Sequence, residues 1–150
     1  MELKVGQRIQ LRSVNYPAYF VSRRSDNKVV VSTSGVDTEW IVKSGLVGDG
    51  SSISLECVSG GYLRHQSFSA WVQALDQSNK LYKNDASFMI EEGLAGKGIS
   101  LRSINFPSYR LRHYSGSGIK LEEIDESDAY KGAASFEVVV ILLPGEFADV

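Results

Sequence analysis

Cysteine is almost absent. Cys57 stands alone among 150 residues, which excludes an intramolecular disulfide and gives no sign of an oxidising compartment, a pattern compatible with the cytoplasm. Only two histidines occur, and without further Cys ligands they do not make a metal site, so no metal and no cofactor is expected. No charge sign dominates: 16 basic residues against 18 acidic ones leave a formal charge of −2. Nothing therefore draws the chain towards nucleic acid or an anionic membrane. The N-terminus, Met1-Glu-Leu-Lys-Val-Gly6, lacks the basic segment and apolar run of a signal peptide, although a processed secreted domain placed behind a Met would read the same. The longest apolar stretch, Val138 to Leu143, is too short to span a bilayer, which argues against membrane insertion. These absences leave the native compartment open.

Helical periodicity is also missing. No segment of about twelve residues is amphipathic at the helical period, and acidic Leu121 to Tyr130 reads as a loop. What is present instead is repetition. Ile9-Gln-Leu-Arg-Ser-Val-Asn-Tyr-Pro-Ala-Tyr19 returns as Ile99-Ser-Leu-Arg-Ser-Ile-Asn-Phe-Pro-Ser-Tyr109, and Ile53-Ser-Leu-Glu-Cys-Val-Ser-Gly-Gly-Tyr-Leu63 is a shortened copy. The three Ile anchors are 44 and 46 positions apart, the signature of a repeat architecture.

Each copy alternates with period two, meets a turn at Asn15-Tyr-Pro17, Ser59-Gly-Gly61 or Asn105-Phe-Pro107, and re-enters a strand. A fourth strand carries Trp40, Phe88 and Phe136, spaced by 48 positions both times. Four short strands in each of three copies predict twelve strands and an all-β chain, a β-trefoil with pseudo-threefold symmetry and few open edges. The expected organisation is a single domain over residues 1–150, with repeats near 6–50, 51–96 and 97–143 and a short tail over 144–150.

Aligning the copies places Arg23, His65 and His113 in one column. Asp37, Asp85 and Ala133 fall three positions before the aromatic anchors. With Leu101-Arg-Ser-Ile-Asn-Phe-Pro-Ser-Tyr109, Tyr62-Leu-Arg-His65, Leu111-Arg-His113, Asn84-Asp-Ala-Ser-Phe88 and Gly93-Leu-Ala95 on the page, the chain resembles the arabinose-binding β-trefoil found at the C-terminus of alpha-L-arabinofuranosidase B, a carbohydrate-binding module. The resemblance implies pockets in which a His and the Asp of the Asp-Ala-Ser-Phe phrase hydrogen-bond the hydroxyls of an arabinofuranose.

Carried over by position, His65 with Asp85 is the complete pair, with Tyr62 and Asn84 beside it and Tyr62, Phe68 and Trp71 as candidate apolar walls. Two pockets are degenerate: one keeps Asp37 but has Arg23 for His, and one keeps His113 but has Ala133 for Asp, with Asp125 or Asp128 as its substitute carboxylate. A carboxylate and an imidazole together orient a polyol as one charge cannot. The competing structural reading has Asp85 capping the turn before its strand.

No enzyme is expected. Cys57 lies in the column of Ser13 and Ser103 with no base in relation to it. Gly93-Leu-Ala-Gly-Lys-Gly98 has the wrong spacing for a phosphate loop. Glu91-Glu92 and Glu122-Glu123 are adjacent on strands and so face opposite ways. The expectation is a non-catalytic, lectin-like module whose partner is an arabinofuranosyl or similar glycan. The alternative is a protein-interaction trefoil with a protein partner and degenerated sugar pockets.

Overall fold

The structure is a computed structural model that describes residues 3–33, 37–114, 118–143 and 145; the tail proposed over 144–150 lies outside the described residues except for Gly145. Among the described residues twelve strands and two short helices follow one another. The first copy gives β1 (Arg8–Ser13), β2 (Phe20–Arg23), β3 (Val29–Ser32) and β4 (Trp40–Ser44). The second gives β5 (Ile53–Cys57), β6 (Tyr62–Gln66), β7 (Ser69–Gln73), α1 (Lys80–Asp85) and β8 (Phe88–Glu92). The third gives β9 (Ile99–Ser103), β10 (Tyr109–His113), β11 (Ile119–Glu123), α2 (Asp128–Ala133) and β12 (Phe136–Ile141).

All strand pairs are antiparallel, and they close on themselves as a barrel. Hydrogen-bonded neighbours run β1–β4–β5–β6–β7–β11–β10–β9–β12 and back to β1, a ring of nine strands. β8 bridges β5 and β9, and the β2–β3 hairpin hangs from β1. This corrects the β-trefoil expected from the repeats. Counting strands says how many edges exist and not which edges meet. The β6–β7 and β10–β11 hairpins pair at Lys120↔Ser69, whereas the β2–β3 hairpin meets them through the isolated bridges Lys28↔Trp71 and Val30↔Gly118.

The core follows the alternation that formed the strands. Ile9, Leu11, Leu55, Leu101 and the three anchors Trp40, Phe88 and Phe136 are buried, with Arg or polar residues on the opposite strand faces. Trp40 Nε1 donates to Val21 O at 3.1 Å, so its indole N–H is not orphaned in the core.

Two short helices stand beside the strands, and α2 takes up Asp128 to Tyr130 of the segment Leu121 to Tyr130 that reads as a loop. At six residues each they are too short to show a helical period. Their signal is the cap: Asn79 Oδ1 accepts from Tyr82 N at 3.0 Å, and Ser127 Oγ from Tyr130 N at 3.2 Å. Tyr82 and Tyr130 turn inward and donate to Gln73 O and Glu122 O, both at 2.8 Å, and burial pushes each phenol up to about 12. Ser87 and Ser135, from the Ala-Ser-Phe phrases, donate back to Lys83 O and Lys131 O. They also accept from Val47 N and Ala95 N, tying each helix exit to the barrel wall.

Candidate functional site

The site begins at a strand end. Ser103 closes β9, and its Oγ accepts from Phe106 N at 3.1 Å while donating to Asn105 Oδ1 at 2.9 Å. This locks the Asn-Phe-Pro turn. Asn105 Oδ1 also accepts from His65 Nε2 at 3.0 Å, so that nitrogen carries the ring proton. Asn105 Nδ2 donates to Asp85 Oδ1 at 2.8 Å, and the other carboxylate oxygen pairs with Arg64 Nη2. His65 Nε2 lies 3.5 Å from Asp85 Oδ1.

The two strongest sequence candidates therefore converge. Their placement is deep: the side chains of His65 and Asp85 are only 5% and 6% exposed. Burial holds the His65 pKa below its ordinary value, opposed by the Asp85 charge, so the imidazole is neutral at pH 7. The Asp85 carboxylate meets the Arg64 and Asn105 side chains, which makes it part of a polar network and not only a turn cap.

Above this base lies an aromatic lip. Phe106 and Phe68 are 38% and 47% exposed. Phe68 stacks on Tyr109 with centroids 5.6 Å apart and meets Phe106 at 5.6 Å. The Phe106 ring stands edge-on to His65, also at 5.6 Å. Phe68 and Ser67 both take positive φ, 61° and 52°, in the β6–β7 turn. Glycine or asparagine suits such a position better, so the turn presents its Phe at a conformational cost of about 1–2 kcal/mol.

The other predicted residues have partners of their own. Tyr62 packs into a small cluster with Tyr82 and Ala86, because it alternates with His65 along β6 and faces the other side. Asn84 Nδ2 returns to Lys80 O within α1. Trp71 sits against Lys28, 5.9 Å from its ring centroid.

The junction between the third and first copies has the same plan. Ser13 Oγ donates to Asn15 Oδ1 at 2.8 Å and accepts from Tyr16 N at 3.0 Å. His113 Nε2 reaches Ser13 Oγ at 2.7 Å and Asn15 Oδ1 at 2.9 Å. Burial, with Arg112 beside it, lowers the His113 pKa to about 4. Asp128, expected as the substitute carboxylate, is exposed in the first turn of α2, while His113 is buried.

At the remaining junction Arg23 replaces histidine and closes directly on Asp37, with Nε 2.6 Å from Oδ2. Ser59 Oγ adds a 3.0 Å bond to the same oxygen and lies 3.2 Å from the sulfur of buried Cys57. Asp37 is thereby committed to structural partners.

Sequence reasoning missed Arg64, Ser103, Asn105, Phe106 and Tyr109. The signal for Ser103, Asn105 and Phe106 was the Ser-x-Asn-aromatic-Pro phrase itself, which recurs where a histidine of the preceding copy arrives and gives way to Cys-Val-Ser-Gly-Gly where arginine does. Among the described residues no group of three or more His, Cys, Asp and Glu side chains is arranged to hold a metal ion.

The chain is 34% identical over 127 residues to an arabinofuranosidase/B-xylosidase of Trichoderma koningii, covering 77% of this chain and 25% of that protein. An alpha-L-arabinofuranosidase of Hypocrea jecorina matches with the same identity and coverage. The chain thus spans about a quarter of the length of the curated relatives it matches. A solved arabinofuranosidase complexed with arabinofuranosyl-alpha-1,2-xylobiose superposes with a TM-score of 0.80 at 26% identity, covering 92% of this chain and 32% of that one. Lysenin in complex with phosphocholine superposes with a TM-score of 0.65 at 11% identity, covering 97% of this chain and 48% of that one, a likeness of fold alone. The profile of the alpha-L-arabinofuranosidase B (ABFB) domain matches residues 9–138, and this chain belongs to that family.

Proposed function

We propose that the chain is a non-catalytic, lectin-like carbohydrate-binding module that holds an arabinofuranose or similar small sugar at the junction of its second and third copies. The observation that carries this reading is the convergence of His65, Asp85 and Asn105 beneath the exposed rings of Phe68 and Phe106. A neutral imidazole, a carboxylate and a primary amide supply donors and acceptors for vicinal hydroxyls, and the rings offer a face to the sugar's C–H side. Family membership and the similar arabinofuranosidase complexed with an arabinofuranosyl xylobiose support the ligand class.

The sugar enters over Asn105, and its hydroxyls exchange with the amide at Asp85 Oδ1. Arg64 remains as the counter-charge of the carboxylate. Because the Asp37 junction is closed by Arg23, one neutral pocket operates, and it binds weakly without the gain that several linked sites would bring.

Calorimetric titration with arabinofuranosyl xylo-oligosaccharides, beside purely pyranose oligosaccharides, tests the reading. Binding is expected for the arabinofuranosyl ligands and is expected to fall at least about tenfold in His65→Ala and Asp85→Asn, each removing a charged or buried hydrogen bond. No heat with any sugar sinks the function, and binding indifferent to both substitutions sinks the site.

A further inference from the structure

We propose that the junction between the third and first copies is a second, different site that takes the carboxylate of an acidic sugar, a uronic acid residue on an oligosaccharide. This rests on the carbohydrate-binding reading and deepens it.

At the neutral junction, Asp85 fills the corner where Arg64, Asn105 and His65 meet. The other junction keeps every one of these partners: Arg112 stands for Arg64, Asn15 for Asn105, His113 for His65, and Ser13 repeats Ser103. Only the carboxylate is gone, because Ala133 occupies the position of Asp85.

The consequence is a cation that forms no ion pair among the described residues. Arg64 donates to His65 O at 3.1 Å, to Gln73 Oε1 at 2.8 Å and to Asp85. Among the described residues Arg112 reaches only His113 O, with Nε and Nη2 both at the long distance of 3.4 Å. Glu122, in the register position of Gln73, forms no ion pair with Arg112 among the described residues. Tyr114 and Tyr130 lie 4.2 and 5.4 Å from the guanidinium carbon. Ring contacts of this kind engage the faces of a guanidinium, whose in-plane N–H groups suit a planar anion. Lys120, 5.3 Å from the Tyr114 centroid, adds a second positive charge to the same side.

The surroundings suit a sugar better than a bare ion. Asn15 is exposed whereas Asn105 is half-buried, so its amide is open to a ligand. Gly132, in the position of Asn84, abuts Asn15 without a side chain: a Cβ there would lie 3.2 Å from the Asn15 amide nitrogen. Tyr16, 43% exposed and edge-on to His113 at 5.7 Å, provides the apolar wall that Phe106 provides at the neutral junction. A uronate brings its own carboxylate to the place where the protein lacks one, and its ring to Tyr16.

The test is calorimetric titration of the whole chain with a glucuronic-acid-substituted xylo-oligosaccharide and with a neutral arabinofuranosyl one. Wild type is expected to bind the acidic ligand, more weakly as salt rises. Arg112→Gln should weaken that binding at least about tenfold, the scale of a lost charge-assisted hydrogen bond. Ala133→Asp, which restores the pair that the second copy already carries and so preserves folding, should do the same. Arg112→Gln should leave neutral binding unchanged, whereas Ala133→Asp rebuilds the constellation of the neutral pocket and should add neutral binding at this junction. Neutral binding without acidic binding overturns this inference alone, and binding of neither overturns it together with the reading beneath it. Acidic binding indifferent to both substitutions, or displaced equally well by free acetate, also overturns it.

Discussion

Lowering the pH should destabilise the fold through His113, and the size of the effect follows from its position. The ring is 1% exposed and its pKa falls to about 4 from an ordinary 6.5. The unfolded imidazole therefore takes its proton at higher pH than the folded one. Its contribution is fully present above about pH 6.5 and is lost as pH falls through that value towards 4. With those two values, the loss is about 2 kcal/mol by pH 5 and about 3 kcal/mol by pH 4. The assay is urea unfolding followed by tryptophan fluorescence, since Trp40 is fully buried, on wild type and on His113→Gln, which keeps a donor for Asn15. Carboxylate and His65 contributions cancel in the comparison. Wild type should lose about 2 kcal/mol more than the variant between pH 7 and pH 5, about 4–8 °C in Tm. Parallel profiles over that range would refute the assignment of a buried, neutral His113.

Asp85→Ala should cost about 3–5 kcal/mol by leaving Arg64 charged and unpaired in a buried site. Adding Arg64→Gln should recover part of that loss in a double-mutant cycle measured by urea unfolding. Phe88→Ala removes one of the three aromatic anchors and should cost about 3–5 kcal/mol, read as an earlier thermal midpoint. Ser67→Asn should stabilise by a few tenths to about 1 kcal/mol, because asparagine tolerates the positive φ of the β6–β7 turn. A differential scan of the two proteins shows whether the midpoint rises.

The strands and their buried anchors were legible because alternation and column spacing are written locally: Ile9, Leu55 and Leu101 fall on the core face wherever the phrase recurs. Barrel closure was not, because it depends on which hairpin edges meet, and the Lys120↔Ser69 contact joins residues 51 positions apart. The helices escaped because six residues make too little of a period, leaving only the Asn79 and Ser127 caps as evidence. His65 and Asp85 were found as a pair from their columns. Asn105 was taken only for turn chemistry, since its partner His65 lies 40 residues earlier and no local pattern connects them. Tyr62 packs with Tyr82 and Ala86, and Asn84 bonds Lys80 O, because a strand or helix residue faces the side its own position dictates and not that of its sequence neighbour.

The most direct measurement of the central claim is a two-dimensional NMR titration with an arabinofuranosyl xylo-oligosaccharide that follows the Asn105 side-chain amide and the backbone amides of Phe68 and Phe106. Saturable shifts concentrated at these three groups, and abolished in folded Asp85→Asn, are the predicted result. Shifts that gather elsewhere on the barrel, or a spectrum unmoved by the sugar, would contradict it.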